Sequence, residues 1–247
     1  DPDPDFKVFD ATANMKLDVQ NAFFHKTLGG YSAARMKRYD ELMDNQFNGR
    51  ANPAVLNMLN TKYIIAPDSG KQGETLYPNP AACGNAWFVK RIKYVANADE
   101  EMQALTHFEP KDEALADKQY QAIIGNEQIV PDSSATIKLA AYNPDHMIYR
   151  SSSKTAGIAV FSEIYYNKGW KLFIDGTESP YFRADYLLRA APIPAGQHKI
   201  EFIFHPRSYY VGEEISTAGS ILLVLLLGGA LFGNKIRKYI PDNGVKS

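Results

Sequence analysis

The run Ile215-Ser-Thr-Ala-Gly-Ser-Ile-Leu-Leu-Val-Leu-Leu-Leu-Gly-Gly-Ala-Leu-Phe-Gly233 carries no charged side chain. At about 1.5 Å per residue it makes a helix just short of the ~30 Å hydrocarbon core, so it spans a bilayer with little tilt. Its strongly apolar residues, worth roughly −0.3 to −0.6 kcal/mol each on insertion, outweigh Ser216, Thr217 and the glycines. A buried core helix would usually be shorter and broken by polar residues. Residues 215–234 are therefore expected to form a transmembrane helix, with the lipid bilayer as a partner. Glu213 and Glu214 precede it and Lys235, Arg237 and Lys238 follow. By the positive-inside rule, the tail 235–247 is cytoplasmic and the larger N-terminal part lies outside.

Composition bounds that outer part. With 45% hydrophobic and 22% charged residues among 247, the chain has the make-up of a folded protein, long enough for two modest domains and their cores. The tail after Gly233 carries four Lys/Arg and one Asp, which leaves the part before it at −4. No basic surface for nucleic acid follows from that charge. Cys83 is the one cysteine, which excludes an intrachain disulfide and a thiolate metal cluster. The chain opens Asp-Pro-Asp-Pro-Asp, with no basic n-region and no apolar h-region. Something upstream is therefore expected to carry it across the membrane, either earlier helices of a longer polytopic protein or a signal peptide since removed. Gly229 and Gly233, and Ser216 and Ser220, sit at small-x-x-x-small spacing, which lets another transmembrane helix of the same longer protein approach closely. Glycine is also common in such helices for no packing reason.

Before the helix, the pattern divides near residue 130. Phe6–Asp10 alternates as a short strand, and Gly29-Gly30 precedes Ser32, a plausible N-cap for a helix to about Phe47. Ala33, Met36, Leu42, Met43 and Phe47 would face its core side, with Arg35, Lys37, Arg38, Glu41 and Asp44 outward. Asn52-Pro53 starts a second helix, and 61–66 reads as a strand. The Pro/Gly/Asn-rich 67–85 reads as loop, 87–95 as one strand, and 97–105 as a helix with Asp99, Glu100 and Glu101 in its first turn. From 135 onward strands alone are expected, at 135–142, 147–152, 158–164, 170–174, 187–193 and 198–205, separated by turns such as Asp175-Gly176. The fold class is α+β: an α/β domain over 1–130, an antiparallel β-sandwich over 131–214, the membrane helix at 215–234 and the tail at 235–247.

The run Phe161-Ser-Glu-Ile-Tyr-Tyr-Asn-Lys-Gly-Trp-Lys-Leu-Phe-Ile-Asp-Gly176, then Leu188-Arg-Ala-Ala-Pro-Ile-Pro-Ala-Gly-Gln-His198 and Phe202-Ile-Phe-His-Pro206, resembles the C-terminal signature of the YfhO-like family of bacterial multi-pass membrane proteins. Leu28–Tyr31 with Arg38-Tyr39, Met58–Tyr63 and Gly84–Val89 are similar to earlier segments of the same extracytoplasmic region. That resemblance implies a GT-C-like architecture in a bacterial plasma membrane. It also implies glycosyl transfer at the outer face from a polyprenyl-phosphate sugar, for cell-envelope glycosylation. Such enzymes keep the catalytic carboxylate between early membrane helices, which this chain lacks, so no catalytic residue and no cofactor are expected here.

The residues themselves hold no H-E-x-x-H, C-x-x-C, G-x-G-x-x-G, P-loop or G-x-S-x-G motif. Glu163 and Asp175 could pair as glycosidase-type carboxylates across a Tyr165–Trp170 hairpin, although Asp175 is more simply a turn residue. Binding groups remain. Tyr165, Tyr166 and Trp170 offer flat faces suited to sugar rings, or else sandwich core. Tyr31, Arg35 and Tyr39 fall at i, i+4 and i+8, and Arg35 or Arg38 could hold a phosphate bidentately, or else form a solvated helix face. Arg189 completes the substrate-binding candidates. Two function classes follow: a glycosyltransferase segment that binds a polyprenyl-phosphate sugar or envelope glycan, and a non-enzymatic membrane-anchored carbohydrate-binding or scaffold module.

Overall fold

A computed structural model describes residues 5–17, 19–68, 70, 73–125 and 129–237, with side chains to Leu231 in the last helix. In chain order the elements are β1 (Lys7–Asp10), α1 (Gln20–Phe24), α2 (Lys37–Gln46), α3 (Pro53–Met58), β2 (Thr61–Pro67), β3 (Glu74–Pro78), β4 (Ala86–Val89), β5 (Arg91–Val95), α4 (Ala98–Ala104), β6 (Glu113–Asp117) and α5 (Gln121–Ile124). They continue as β7 (Thr136–Asn143), β8 (His146–Ser153), β9 (Gly157–Ile164), β10 (Trp170–Ile174), β11 (Thr177–Ser179), β12 (Phe182–Ala184), β13 (Leu188–Ile193), β14 (Gly196–Phe204) and α6 (Arg207–Arg237). The class is α+β, with a sandwich-like pair of sheets and one long apolar C-terminal helix.

Three sheets form, in the orders β1-β2-β3, β11-β10-β14-β8-β7 and β4-β9-β13-β12-β6-β5. The five-stranded and six-stranded sheets face each other across one core. Leu172, Ile200, Phe202, Met147 and Tyr149 from the first meet Ala159, Phe161, Ala191 and Ile193 from the second. The opposite face of the six-stranded sheet, with Trp87, Val160, Leu188 and Ala190, packs on α2 and α3 through Leu42, Met43, Val55 and Met58. β9 therefore lies in a middle layer and is buried on both faces, which is why Ile158-Ala-Val-Phe161 is a continuous apolar run rather than an alternation.

β4 and β5, expected as one strand, lie at opposite edges of that sheet with only Lys90 between them. A flat six-stranded sheet would hold its edges roughly 24 Å apart at ~4.8 Å per strand. Two adjacent residues cannot bridge that distance, so the sheet curls until its edges meet at Lys90. The same sheet takes β4, β5 and β6 from before residue 130 and β9, β12 and β13 from after it, and residues to Phe204 cluster as one compact unit. The boundary drawn at 130 thus runs through a shared sheet, because pairing is non-local and patterning changes do not record it.

Smaller departures have local causes. Ser32 does not cap a helix; its Oγ accepts a bond from Ala34 N at 3.3 Å in a local turn, and α2 starts five residues later. Ala33 and Met36 are consequently exposed, while Leu42 and Met43 are buried as expected. β3, inside the expected loop 67–85, is an exposed edge strand, where Pro78 at its end breaks no ladder. β6, Glu113-Ala-Leu-Ala-Asp117, has helix-forming composition and becomes a strand only because β5 and β12 flank it. Asn52 and Asn97 do cap α3 and α4, accepting bonds from Ala54 N and from Asp99 N and Glu100 N.

Asp175 and Gly176 have φ of +49° and +82° between the paired Ile174 and Thr177, the signature of a type I′ hairpin. Asp175 is anchored by His198 Nδ1 at 2.6 Å and by Lys199 N at 2.8 Å. Gly176→Val is expected to destabilise the fold by about 1–2 kcal/mol, since a β-branched side chain fits φ > 0 poorly. Unchanged thermal unfolding of the full chain would show that the turn tolerates a side chain.

The second compact unit, from His205, consists of α6, whose window Arg207–Leu231 is apolar enough to cross a membrane. It begins earlier than the expected 215–234. Leu222, Leu223, Leu225 and Leu226 are all exposed, as lipid-facing positions would be, and Ser220 Oγ bonds back to Ser216 O at 2.9 Å, which satisfies a hydroxyl that lipid could not. Tyr209 and Tyr210 stand near its start, where an aromatic belt belongs. Of the tail expected at 235–247, residues 238–247 and the Lys235 and Arg237 side chains lie outside what the structure describes.

Candidate binding cleft

Two distant stretches singled out in the sequence meet in one place. α2 contributes Arg38 and Tyr39, the connection after β9 contributes Tyr165, Tyr166 and Asn167, and β12 contributes Arg183 to a cleft of about 170 Å3. That is below the ~300–1,000 Å3 of a drug-sized ligand site and leaves room for one ring or one phosphate.

Buried charge underlies the cleft. The fully buried Glu101 of α4 faces Arg38 Nη1 at 3.5 Å and Arg183 Nη2 at 3.8 Å, and accepts a bond from Tyr186 N at 2.9 Å. Burial pushes the Glu101 carboxyl above the usual carboxylate range, while the Tyr186 N–H and the two guanidiniums pull it back. Two guanidiniums thus oppose one carboxylate at this wall. Arg38 also donates to Tyr186 O at 3.0 Å and lies over the Tyr186 ring at 4.5 Å. Arg183 is less fully engaged: its Nε is buried without a hydrogen-bond partner. Tyr39 donates its hydroxyl to Leu28 O at 2.6 Å, and burial holds its pKa well above the usual phenol value. Tyr165 is likewise pushed up to about 12 by burial, then by Tyr120, so it remains a neutral hydrogen-bonding phenol. Tyr166 stands at the rim, 40% exposed.

Backbone strain lies beside these groups. Asp185 and Tyr186, between β12 and β13, both have positive φ, +50° and +71°, which costs about 1–3 kcal/mol per residue in non-glycines. The corner is held by Leu115 N donating to Asp185 Oδ1 at 2.7 Å and by the Tyr186 hydroxyl donating to Glu41 at 2.6 Å. Asp185 is fully buried with Oδ2 unpartnered, and burial, then Glu101 and Glu113, drive its pKa well upward against the Leu115 N–H that lowers it. Glu101, Arg183, Asp185 and Tyr186 were not visible as site residues in the sequence. No motif marks them, and two consecutive non-glycine left-handed residues have no compositional signal.

The other candidates go elsewhere. Arg35 precedes α2, pairs with Asp40 at 3.3 Å and reaches Lys16 O at 3.4 Å, so the helical stripe Tyr31-Arg35-Tyr39 does not form; Tyr31 is an exposed loop residue. Trp170 and Arg189 meet each other instead. The Arg189 guanidinium lies 4.0 Å from the indole centroid, Phe204 lies 5.2 Å from the same ring, and Arg189 Nε donates to Ile164 O. The Tyr165–Trp170 segment is not a hairpin, since β9 and β10 belong to different sheets, and Asp175 is held by His198. The carboxylate pair with Glu163 therefore has no structural basis.

Residues 118–216 match the family model of the bacterial membrane protein YfhO. This stretch is YfhO-like. The YfhO-like segment spans all five strands of the five-stranded sheet together with β9, β12 and β13, and so carries Tyr165, Tyr166 and Arg183 of the cleft, while Arg38 and Tyr39 come from outside the match. No curated protein and no solved structure matches the chain. The stretch similar to that membrane-protein family and the candidate span at Arg207–Leu231 together support association of the chain with the lipid bilayer.

Proposed function

We propose that this chain is the extracytoplasmic part and one membrane helix of a glycosyltransferase-like protein of the cell envelope, and that its cleft binds the phosphate-sugar head of a polyprenyl-linked donor. The observation that carries this reading is the meeting of Arg38, Arg183, Tyr165 and Tyr166 around a space for one ring. Guanidiniums suit phosphate oxygens through paired N–H donors, and phenol rings suit the C–H face of a sugar. Family resemblance supports the same substrate class, and the charge asymmetry around residues 215–234 supports an outer location for the cleft. Catalytic groups would then be supplied by earlier membrane segments, and further helices of the same protein would pack on α6.

Photo-crosslinking with a photoreactive polyprenyl-phosphate hexose tests both location and chemistry. The probe is expected to label right-side-out vesicles and not inside-out ones. Tyr166→Ala, a rim change that leaves the core intact, is expected to weaken labelling roughly tenfold, in line with ~1–2 kcal/mol for one aromatic face. Unchanged labelling by Tyr166→Ala would remove the cleft as the site. Equal competition by a phosphate-free glycan would favour the non-enzymatic carbohydrate-binding module.

A further inference from the structure

Two end strands of the sandwich border one groove. β4 is an end strand of the six-stranded sheet and β7 of the five-stranded sheet, and among the described residues no further strand pairs with either. The groove, of about 500 Å3, is lined by residues 86–90 and 135–138, each run without a gap. A strand that turns a face to a cavity contributes alternate residues, so an unbroken run means that the groove follows the strand's edge. The pairing pattern tells which backbone groups stand there. Ser162 N donates to Asn85 O at 2.9 Å, and bonded pairs alternate from that point. Trp87 and Val89 therefore bond to β9, while Ala86 and Phe88 turn their N–H and C=O groups to the open side. A bulge at Ala140 ends the regular edge of β7 just past the groove. The groove shares no lining residue with the cleft.

We propose that this groove takes up an acidic polypeptide segment in extended form, added as a strand along β4 and β7. An open edge presents N–H and C=O groups at strand spacing, which another extended chain satisfies and a compact solute does not. Residues 86–90 cover about 17 Å at ~3.3 Å per residue, room for a short strand. Charge then selects its side chains. Lys90 is paired with Asp112 at 2.5 Å. Asp132 is saturated by Lys154 N at 2.7 Å, Ser134 N at 2.9 Å, Ser134 Oγ at 2.6 Å and Ser153 Oγ at 3.3 Å. Lys111 and Lys138 remain, both exposed and without an ion pair among the described residues. A lysine on an edge strand discourages pairing with a neutral or basic strand, and the same charge favours one that carries Asp or Glu. Cys83 at this groove is a neutral wall, since burial pushes its thiol up to about 12 against the opposing charge of Lys111.

Random decapeptides displayed on phage, depleted on empty nanodiscs and panned on the full chain in nanodiscs, supply the probe. Recovered peptides are expected to alternate β-branched residues with Asp or Glu. A synthetic copy should bind Lys111→Glu/Lys138→Glu at least tenfold more weakly, and the same variant should regain the peptide once its acids are replaced by lysine. Both positions are exposed and unpaired, so the double change leaves the fold intact. Methylation of alternate backbone nitrogens separates strand addition from charge attraction. Binding should fall at least tenfold with the methyls in one register and persist when they are moved by one residue. Recovery of no acidic peptide, binding unaffected by the lysine reversal, or equal binding of the two methylated forms would each overturn the proposal. Polygalacturonate bound as tightly as the peptide, and lost in the same variant, would also overturn it by assigning the groove to an acidic glycan.

Discussion

Glu101→Ala lowers the stability of the folded unit by about 3 kcal/mol, the largest expected loss at any position on the cleft. Removing one member of a buried charge set leaves the others uncompensated, which costs roughly 3–5 kcal/mol. The lower end applies because the Arg38 side chain is 31% exposed and recovers some hydration, whereas Arg183 at 12% recovers little. Tyr186 N also loses its acceptor, and with it the corner at Asp185-Tyr186 loses one of the bonds that offset its left-handed backbone. Glu101→Gln keeps an acceptor for Tyr186 N and should fall between wild type and Ala. Chemical denaturation of the reconstituted chain measures both. A loss below about 1 kcal/mol for the alanine variant would mean that the two guanidiniums are solvated, and that the cleft presents free cations rather than a braced pair.

Trp170→Ala is expected to cost about 3 kcal/mol and to reduce the amount of protein in the membrane. The indole carries Arg189 on its π system, and Arg189 is only 3% exposed with Nη1 unpartnered. A desolvated cation–π contact contributes about 2 kcal/mol, and truncating a partly buried Trp adds a cavity. Burial already lowers the Arg189 pKa, so removing the ring exposes a cation that is poorly compensated. Membrane abundance and crosslinking to the polyprenyl-phosphate hexose should be read together. Full abundance with lost crosslinking would return Trp170 to the sugar-stacking role that its sequence position first suggested.

Much of this protein was legible locally. The apolar run at 215–233 needs no partner to declare itself, because lipid requires every backbone group to be satisfied within one helix. Strand periods from 136 onward, the Asp175-Gly176 turn and the asparagine caps were also readable, since each depends on neighbours within a few residues. Where expectation and structure part, a long-range contact decides. Lys90 divides an apparent strand because its two halves pair at opposite edges of a curled sheet. Glu113–Asp117 is a strand through its flanking strands and not through propensity.

The same division holds for the binding groups. Tyrosines and arginines were marked by type, yet type alone did not sort them. Arg35 and Arg38 are three residues apart, and the first braces a loop while the second faces Glu101 across 63 positions. Arg189 stacks on Trp170, leaving Arg183, which no spacing singled out, as the second cation of the cleft. The sequence by itself determined the membrane helix, the strand periods and the turn chemistry, all of which are set by backbone geometry and side-chain type over a few residues. Only the tertiary structure decided which charged and aromatic side chains share a cleft, because desolvation and pairing depend on what the fold brings within about 4 Å, and chain distance does not encode that.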